Sequence, residues 1–181
     1  MLTAMQVTLK HLFISPGHNY YGRHGMVAKD FDIHEVESLE CIAGRGVTDD
    51  RFFDYEEDYK GQITLFDWAV HERVRDEIVK GELHPRALRR NIVVEGVDLN
   101  SLIHKHFRIG EIELTGSCEC KPCYWMDQAC APGTFDFLKG VGGLRARIVK
   151  GGILPIGPCE LEILGDVESR PEDHASSKEK S

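Results

Sequence analysis

The segment RIVKGGILPIGPCELEIL, residues 147–164, alternates short apolar runs with glycine-containing turn signals. Residues 147–149 and 161–164 have the short apolar runs of β-strands, and the pairs Gly151-Gly152 and Gly157-Pro158 mark turns between them. Apolar runs this short, interrupted by glycine, are typical of strands rather than of helices. The segment therefore predicts a sheet at the end of the fold.

The same pattern recurs towards the N-terminus. Further strands are predicted at residues 7–14, 36–42, 92–94 and 111–114, several of them bounded by glycine. Many short strands with glycine-rich turns predict a mainly β fold, a closed or nearly closed β-barrel with a few short peripheral helices.

One helix is predicted from apolar residues that recur every fourth position, Phe66, Val70, Val74 and Ile78. Asp67 is expected to cap its start and Gly81 to end it. A shorter helical turn is predicted after Asp98. The helix is expected to serve as scaffold that covers one end of the sheet.

The length of 181 residues fits one domain. We assign residues 1–165 to that domain. Residues 166–181, DVESRPEDHASSKEKS, are polar without periodicity and are predicted to form a disordered tail.

The net charge of -8 argues against broad nucleic-acid binding, which requires a basic surface. No apolar run approaches the roughly 18 residues of a membrane span, and the N-terminus lacks the pattern of a secretory signal. We therefore expect a cytoplasmic protein that binds neither nucleic acid nor membrane. Six cysteines in such a protein are expected to be reduced thiols rather than a disulfide framework.

Two segments have the composition of an anion site. Residues 84–91, HPRALRRN, place three arginines close together in an acidic protein, and arginine suits phosphate or carboxylate recognition. A solvated basic turn or internal ion pairs would give the same pattern. Residues 44–52, GRGVTDDRF, match neither a Walker A loop nor a dinucleotide fingerprint. Asp50 and Arg51 either reach a bound anion or hold a structural turn.

A cysteine cluster supplies the third candidate: Cys118, Cys120, Cys123 and Cys130. A thiolate near a cation such as Lys121 would have a lowered pKa and would be a nucleophile or a soft-metal ligand. Alternatively, three or four thiolates would together hold zinc or an iron–sulfur cluster. The C-x-C-x2-C-x6-C spacing matches no standard form of either site.

Taken in order, these segments resemble the MOSC family, named for the C-terminal domain of molybdenum-cofactor sulfurases. The resemblance extends over residues 37–164 and rests on five segments: GRGVTDDRF (44–52), RRNIVVEGVDLNSL (89–102), FRIGEIEL (107–114), KPCYWM (121–126) and GLRARIVKGGILPIG (143–157). It implies a β-barrel with small peripheral helices. The loop departs from the family pattern because it lacks a glycine directly before Asp50-Arg51.

The resemblance also implies a site. Cys123 matches the cysteine that ligates molybdenum or carries sulfur as a persulfide. Arg89 and Asn91 match positions that hold the pterin cofactor and its phosphate, and Arg90, Asp50 and Arg51 are expected in the same pocket. Cys118 and Cys120 are extra thiols, and either would resolve a persulfide or disulfide on Cys123 or be the true metal partner.

The resemblance implies one of two activities for a molybdenum-cofactor-binding protein. As a molybdenum-dependent oxidoreductase component, it would reduce N-hydroxylated or similar small molecules with electrons from an electron-transfer partner. As a sulfur carrier, it would take persulfide sulfur from a cysteine desulfurase and pass it to a metal centre. Pyridoxal phosphate is not expected, because no desulfurase domain is present in the sequence. The alternative is a non-catalytic zinc-bound interaction module that uses Cys118, Cys120, Cys123 and Cys130.

Overall fold

The computed structural model describes residues 3–17 and 32–175. The strands in that part of the chain are β1 (Thr3–Ile14), β2 (His34–Glu35), β3 (Ser38–Ile42), β4 (Gly46–Val47), β5 (Ile63–Asp67), β6 (Ile92–Glu95), β7 (Lys105–Ile109), β8 (Ile112–Glu119), β9 (Leu144–Lys150), β10 (Gly152–Pro155) and β11 (Gly157–Asp166). The α-helices are α1 (Trp68–Arg73), α2 (Trp125–Ala129), α3 (Thr134–Phe137) and α4 (Pro171–His174). A π-helical segment (Val74–Val79) follows α1, and 3-10 turns cover Pro85–Leu88 and Leu99–Leu102.

Seven strands close into a barrel in the order β1, β11, β7, β8, β9, β5, β6 and back to β1. Every neighbouring pair is antiparallel except β5 and β6, which are parallel. Strands β10, β3 and β4 form a separate three-stranded sheet, and β2 extends the edge of β1. The predicted mainly β barrel with short helices is confirmed.

The barrel interior is filled by side chains from alternate strand positions. On β7 and β8 the inward residues include Phe107, Ile109, Ile112 and Leu114, all fully buried. Gly116 continues this face, and a Cβ there would lie 2.0 Å from the carbonyl oxygen of Leu102. Only glycine therefore lets the 3-10 turn Leu99–Leu102 close one end of the barrel.

The predicted helix is present but begins and ends differently. Phe66 belongs to β5, a strand that was not predicted because its buried residues lack alternation and Phe66 also fits the helical period. Asp67 caps α1 as predicted, and its carboxylate accepts a hydrogen bond from the Ala69 amide at 2.9 Å. The helical segment ends at Lys80, with a φ of 53°, rather than at Gly81. The predicted turn after Asp98 is also confirmed, since Asp98 caps the 3-10 turn.

Residues 166–175 correct the prediction of a disordered tail from residue 166 onward. Helix α4 packs on the barrel, where Asp173 is buried and accepts a hydrogen bond from Arg147 Nη1 at 2.8 Å. Lys60 Nζ donates to the carbonyl oxygen of Glu172 at 3.1 Å. The polar composition hid this packing, because the burial is driven by charge pairing with the barrel wall rather than by an apolar face. Residues 176–181 lie outside the described residues.

Candidate functional site

A pocket of about 180 Å³ opens at one end of the barrel. Its walls come from the β4–β5 connection, the start of β6, the segment after β8, and β9. Five of the predicted site residues line it, namely Arg51, Arg89, Arg90, Cys120 and Cys123. The remaining lining residues are Phe52, Tyr59, Gly61, Thr64, Lys121, Met126 and Arg145.

Arg89 and Arg90 occupy a sharp turn between the 3-10 turn Pro85–Leu88 and β6. Arg89 has a φ of 58°, in the left-handed region, and is buried. The guanidinium of Arg90 donates to the carbonyl oxygens of Leu88 at 2.8 Å, Gly142 at 3.0 Å and Cys120 at 3.3 Å. Arg90 therefore joins three segments of the pocket wall and fixes the backbone at Cys120. Arg86, from the same sequence cluster, is exposed and does not line the pocket.

Arg51 reaches the pocket from a loop that Asp50 organises. The Asp50 carboxylate is buried and accepts hydrogen bonds from the backbone amides of Ser15 at 3.0 Å and Phe52 at 3.2 Å. Arg51 Nη1 lies 3.5 Å from Asp50 Oδ1, and Nη2 donates to the carbonyl oxygen of Arg89 at 3.2 Å. Asp50 is thus behind the pocket wall, where it positions Arg51.

Asn91 also lies behind the wall rather than in it. Its Oδ1 accepts hydrogen bonds from the Thr64 amide at 3.0 Å and the Thr64 hydroxyl at 3.1 Å. Its Nδ2 donates to the carbonyl oxygen of Phe13 at 3.2 Å. Both polar ends of the Asn91 amide therefore make hydrogen bonds that link β6 to β5 and β1. In this structure Asn91 stabilises the barrel.

Cys120 is the buried thiol of the pocket, and arginine surrounds it. Burial alone would raise the pKa of Cys120, yet the charges of Arg90, Arg145 and Arg51, together with a hydrogen bond from Arg145, lower it below its ordinary value. Arg145 in turn has a raised pKa, because the attraction of Cys120 and Tyr59 outweighs its burial. Cys120 and Arg145 are therefore hydrogen-bonded partners in the pocket wall, and this pairing favours the thiolate form of Cys120.

Cys123 lies three residues further along and is exposed. It lines the same pocket as Cys120, so the two thiols face one cavity from different depths. An exposed thiol at the cavity is accessible to a bound molecule and to solvent alike. The predicted reactive cysteine is thus placed where a ligand or another protein can reach it.

The four clustered cysteines do not form the zinc site weighed as the alternative. Cys130 packs in the hydrophobic cluster beneath α1, with a pKa raised to about 11 by burial and by Asp127. Cys118 lies on β8 opposite Arg145, and burial raises its pKa. Among residues 3–17 and 32–175, no group of three or more His, Cys, Asp or Glu side chains is arranged to hold a metal ion. The sequence cluster is therefore divided among three environments: the apolar cluster for Cys130, strand β8 for Cys118, and the pocket for Cys120 and Cys123.

Sequence reasoning missed Arg145 and Tyr59. Arg145 follows a buried leucine in β9 and is separated from Cys120 by a whole loop, so only strand pairing brings the two together. The sequence does contain a signal for an arginine at this site. Arg145 and Arg147 alternate with apolar residues in one strand. Tyr59 lies on the facing loop, where burial raises its pKa.

The electrostatic balance of the pocket favours anions. Among residues 3–17 and 32–175, five cationic side chains line it and no carboxylate does. The Asp50 carboxylate, behind the pocket wall, partly neutralises Arg51, and the Cys120 thiol would neutralise part of the remaining charge when it is deprotonated. An anionic group with affinity for sulfur is the ligand that this combination suits best.

Comparisons with known proteins agree with the barrel. Among solved structures, the fold resembles the YUAD protein from Bacillus subtilis with a TM-score of 0.71 and 16% identity, covering 90% of this chain and 99% of that one. YiiM from Geobacillus stearothermophilus matches with a TM-score of 0.61 and 12% identity, over 87% of this chain and 75% of that one. YiiM from Escherichia coli matches with a TM-score of 0.56 and 17% identity, over 89% and 74%.

At these identities the structural likeness shows a shared fold. No curated protein matches the chain. In the described part of the chain, no helix has the length and apolar character to cross a membrane. The family model described as "MOSC domain" matches residues 56–158, more than half of the 181 residues. That range contains β5 to β10 and the loop with both pocket cysteines, and the chain accordingly belongs to the MOSC domain family.

Proposed function

We propose that this protein binds the molybdenum cofactor in the cationic pocket, with the Cys123 thiolate as a metal ligand, and acts as an oxidoreductase component. The observation that carries the proposal is a cavity whose described lining has five cations and two thiols and lacks a carboxylate. Membership of a family associated with molybdenum-cofactor function supports it.

The residues present fit such a group. Guanidinium groups of Arg51, Arg89 and Arg145 supply positive charge for an anionic pterin, and an exposed cysteine supplies the soft sulfur that molybdenum requires. When bound, the cofactor would supply two-electron reduction of an N-hydroxylated or similar substrate, with electrons from a separate protein.

The chain itself binds and orients. Arg90 fixes the backbone at Cys120 through its hydrogen bond to that carbonyl, which sets the start of the Cys120–Cys123 segment. Asn91 and Asp50 hold the loops that carry Arg89 and Arg51. We therefore expect Asn91 to act by positioning rather than by contact with the pterin.

A persulfide carrier is the second candidate, favoured by the exposure of Cys123. A thiol at the surface is accessible to a cysteine desulfurase and to an acceptor protein. In this version the arginines would hold the anionic acceptor. A cytoplasmic location suits both versions, because both require the thiol to stay reduced.

Elemental analysis of protein purified without oxygen, from a host that makes the cofactor, tests the proposal. We expect near-stoichiometric molybdenum in the parent, loss of molybdenum in Cys123→Ser, and retention in Cys159→Ser, whose thiol lies outside the pocket. A parent without molybdenum but with one extra sulfur atom on Cys123 would favour the carrier. Equal molybdenum in the parent and Cys123→Ser would contradict Cys123 as the ligand.

A further inference from the structure

The thiol of Cys120 lines the pocket but has no chemical step assigned to it in the proposed function. Its side chain is 5% exposed, yet it lines the cavity, and it accepts a hydrogen bond from Arg145. The guanidinium groups of Arg90 and Arg51 act on it as well. Holding a charged thiolate in a buried position is costly unless it is paired, and here three arginines compensate.

The space beside this thiol is small and positively charged. A volume of about 180 Å³ admits a small inorganic anion. Lys121 adds a cation to the lining, and the Asp50 carboxylate faces Arg51 from behind the wall. A nucleophilic sulfur and a cationic cavity thus occupy one site.

We propose that Cys120 is a second nucleophile, which takes a sulfur atom from a small sulfur oxyanion held by the pocket arginines. Thiosulfate is the simplest anion of this class. The interior thiolate and the surrounding guanidinium groups are placed for this step without any metal, so the inference goes beyond the molybdenum function and does not depend on it.

The step balances as a single displacement. The Cys120 thiolate attacks the outer sulfur of thiosulfate and forms a new sulfur–sulfur bond. The sulfur–sulfur bond of thiosulfate breaks, and its electron pair leaves with sulfite. The products are the deprotonated Cys120 persulfide and sulfite, so total charge is conserved and no further oxidant or reductant is required. The arginines stabilise the negative charge that moves onto the departing sulfite.

Metal-free protein treated with thiosulfate tests the proposal. We expect the parent and Cys123→Ser to release sulfite in an amount equal to the protein and to gain one sulfur atom in mass. Cys120→Ser should do neither, and Cys159→Ser should match the parent. Tandem mass spectrometry of the parent should place the added sulfur on Cys120, which keeps the test valid even where Cys120→Ser fails to fold. Sulfur on Cys123, sulfite release by folded Cys120→Ser, or no release by the parent would overturn the proposal.

Competing anions and arginine variants test the binding of the anion separately. Sulfate has a similar shape but carries no transferable sulfur, so it should slow the release, whereas sodium chloride at equal ionic strength should slow it less. Arg145→Gln should reduce the rate at least tenfold, and Arg108→Gln, which removes an arginine paired with Glu162 on the barrel surface, should leave it unchanged. Equal rates in the two arginine variants would also overturn the proposal. Molybdenum content of the same variants distinguishes this result from failure of the proposed function.

Discussion

At the scale of single residues, the guanidinium of Arg145 is the group that distinguishes Cys120 from the other thiols. It donates a hydrogen bond to Cys120, and its charge lowers the pKa of that thiol. Cys41, buried without such a partner, has a pKa raised to about 12. The same residue type therefore has opposite acid–base behaviour in two buried sites of one chain.

This contrast predicts a pH dependence. Because the pKa of Cys120 is lowered, its thiolate is present above that pKa and is lost as the pH falls through it. Sulfite release should therefore persist below the pH at which an ordinary thiol protonates. Arg145→Gln should move the midpoint to higher pH, as followed by release rate and by the ultraviolet absorbance of the thiolate. An unchanged midpoint would contradict the pairing of Arg145 with Cys120.

Asn91 gives a stability prediction. Asn91→Ala would leave the Thr64 amide and the Phe13 carbonyl buried without their partner. We expect the free energy of unfolding to fall by about 3 kcal/mol in urea titrations. Asn100→Ala, which removes one exposed hydrogen bond to Gly140, should cost less than about 1 kcal/mol. Equal losses in the two variants would argue against a structural role for Asn91.

The sequence indicated part of this site. Cys123, Arg51, Arg89 and Arg90 were candidates because each lies in a loop segment whose composition is unusual for its surroundings, and the fold places all four around one pocket. The partnership of Cys120 and Arg145 was not predictable, since it depends on where β9 and the end of β8 meet. The family resemblance implied a cofactor-binding role for Asn91, and its burial and hydrogen bonds to Thr64 and Phe13 could not be read from the sequence.

At the scale of elements, α4 is held to the barrel by charge rather than by apolar contact. Arg147 and Asp173 are both almost fully buried, and Arg147 Nη1 also donates to the Ser117 hydroxyl at 3.1 Å. Asp173→Ala would leave the guanidinium buried without this carboxylate. We expect a loss of about 3 kcal/mol in the free energy of unfolding. Glu172→Gln, on the exposed side of α4, should change it by less than about 0.5 kcal/mol.

The elements also show where sequence patterns succeed and fail. The caps at Asp67 and Asp98 were predicted because a side-chain carboxylate beside the first helical amides is a local interaction. Strand β5 was missed because Ile63–Phe66 are buried on both faces, which removes the alternation that marks a strand. The order of α4 was missed because its partners are distant in sequence.

At the scale of the whole molecule, the barrel closes where the two ends of the fold meet, between β1 and β11. Val7 pairs with Cys159 across this seam. Val7→Cys should form a disulfide with Cys159 under mild oxidation and stabilise the protein by about 4 kcal/mol, because the bond closes a loop of most of the chain. Met5 pairs with Leu161 instead, so Met5→Cys should form no disulfide with Cys159. Peptide mapping and urea titration provide the readout, and a bond from Met5→Cys would contradict the register.

The barrel also explains how one end of the molecule becomes a site. Its interior is filled by apolar side chains, and the cationic cavity lies where loops cover the strand ends. The loops there bring arginines from three separate segments against two cysteines of a fourth. An acidic protein thereby concentrates positive charge in one small pocket.

Molybdenum-edge X-ray absorption of the loaded protein tests the central claim most directly, because it counts the sulfur atoms bound to the metal. We predict that Cys123→Ser, if metal remains after gentle loading, has one sulfur ligand fewer than the parent, and that Cys120→Ser and Cys159→Ser match the parent. Identical sulfur coordination in the parent and Cys123→Ser, or loss of the ligand in Cys120→Ser instead, would contradict the assignment of Cys123 as the metal-binding thiolate.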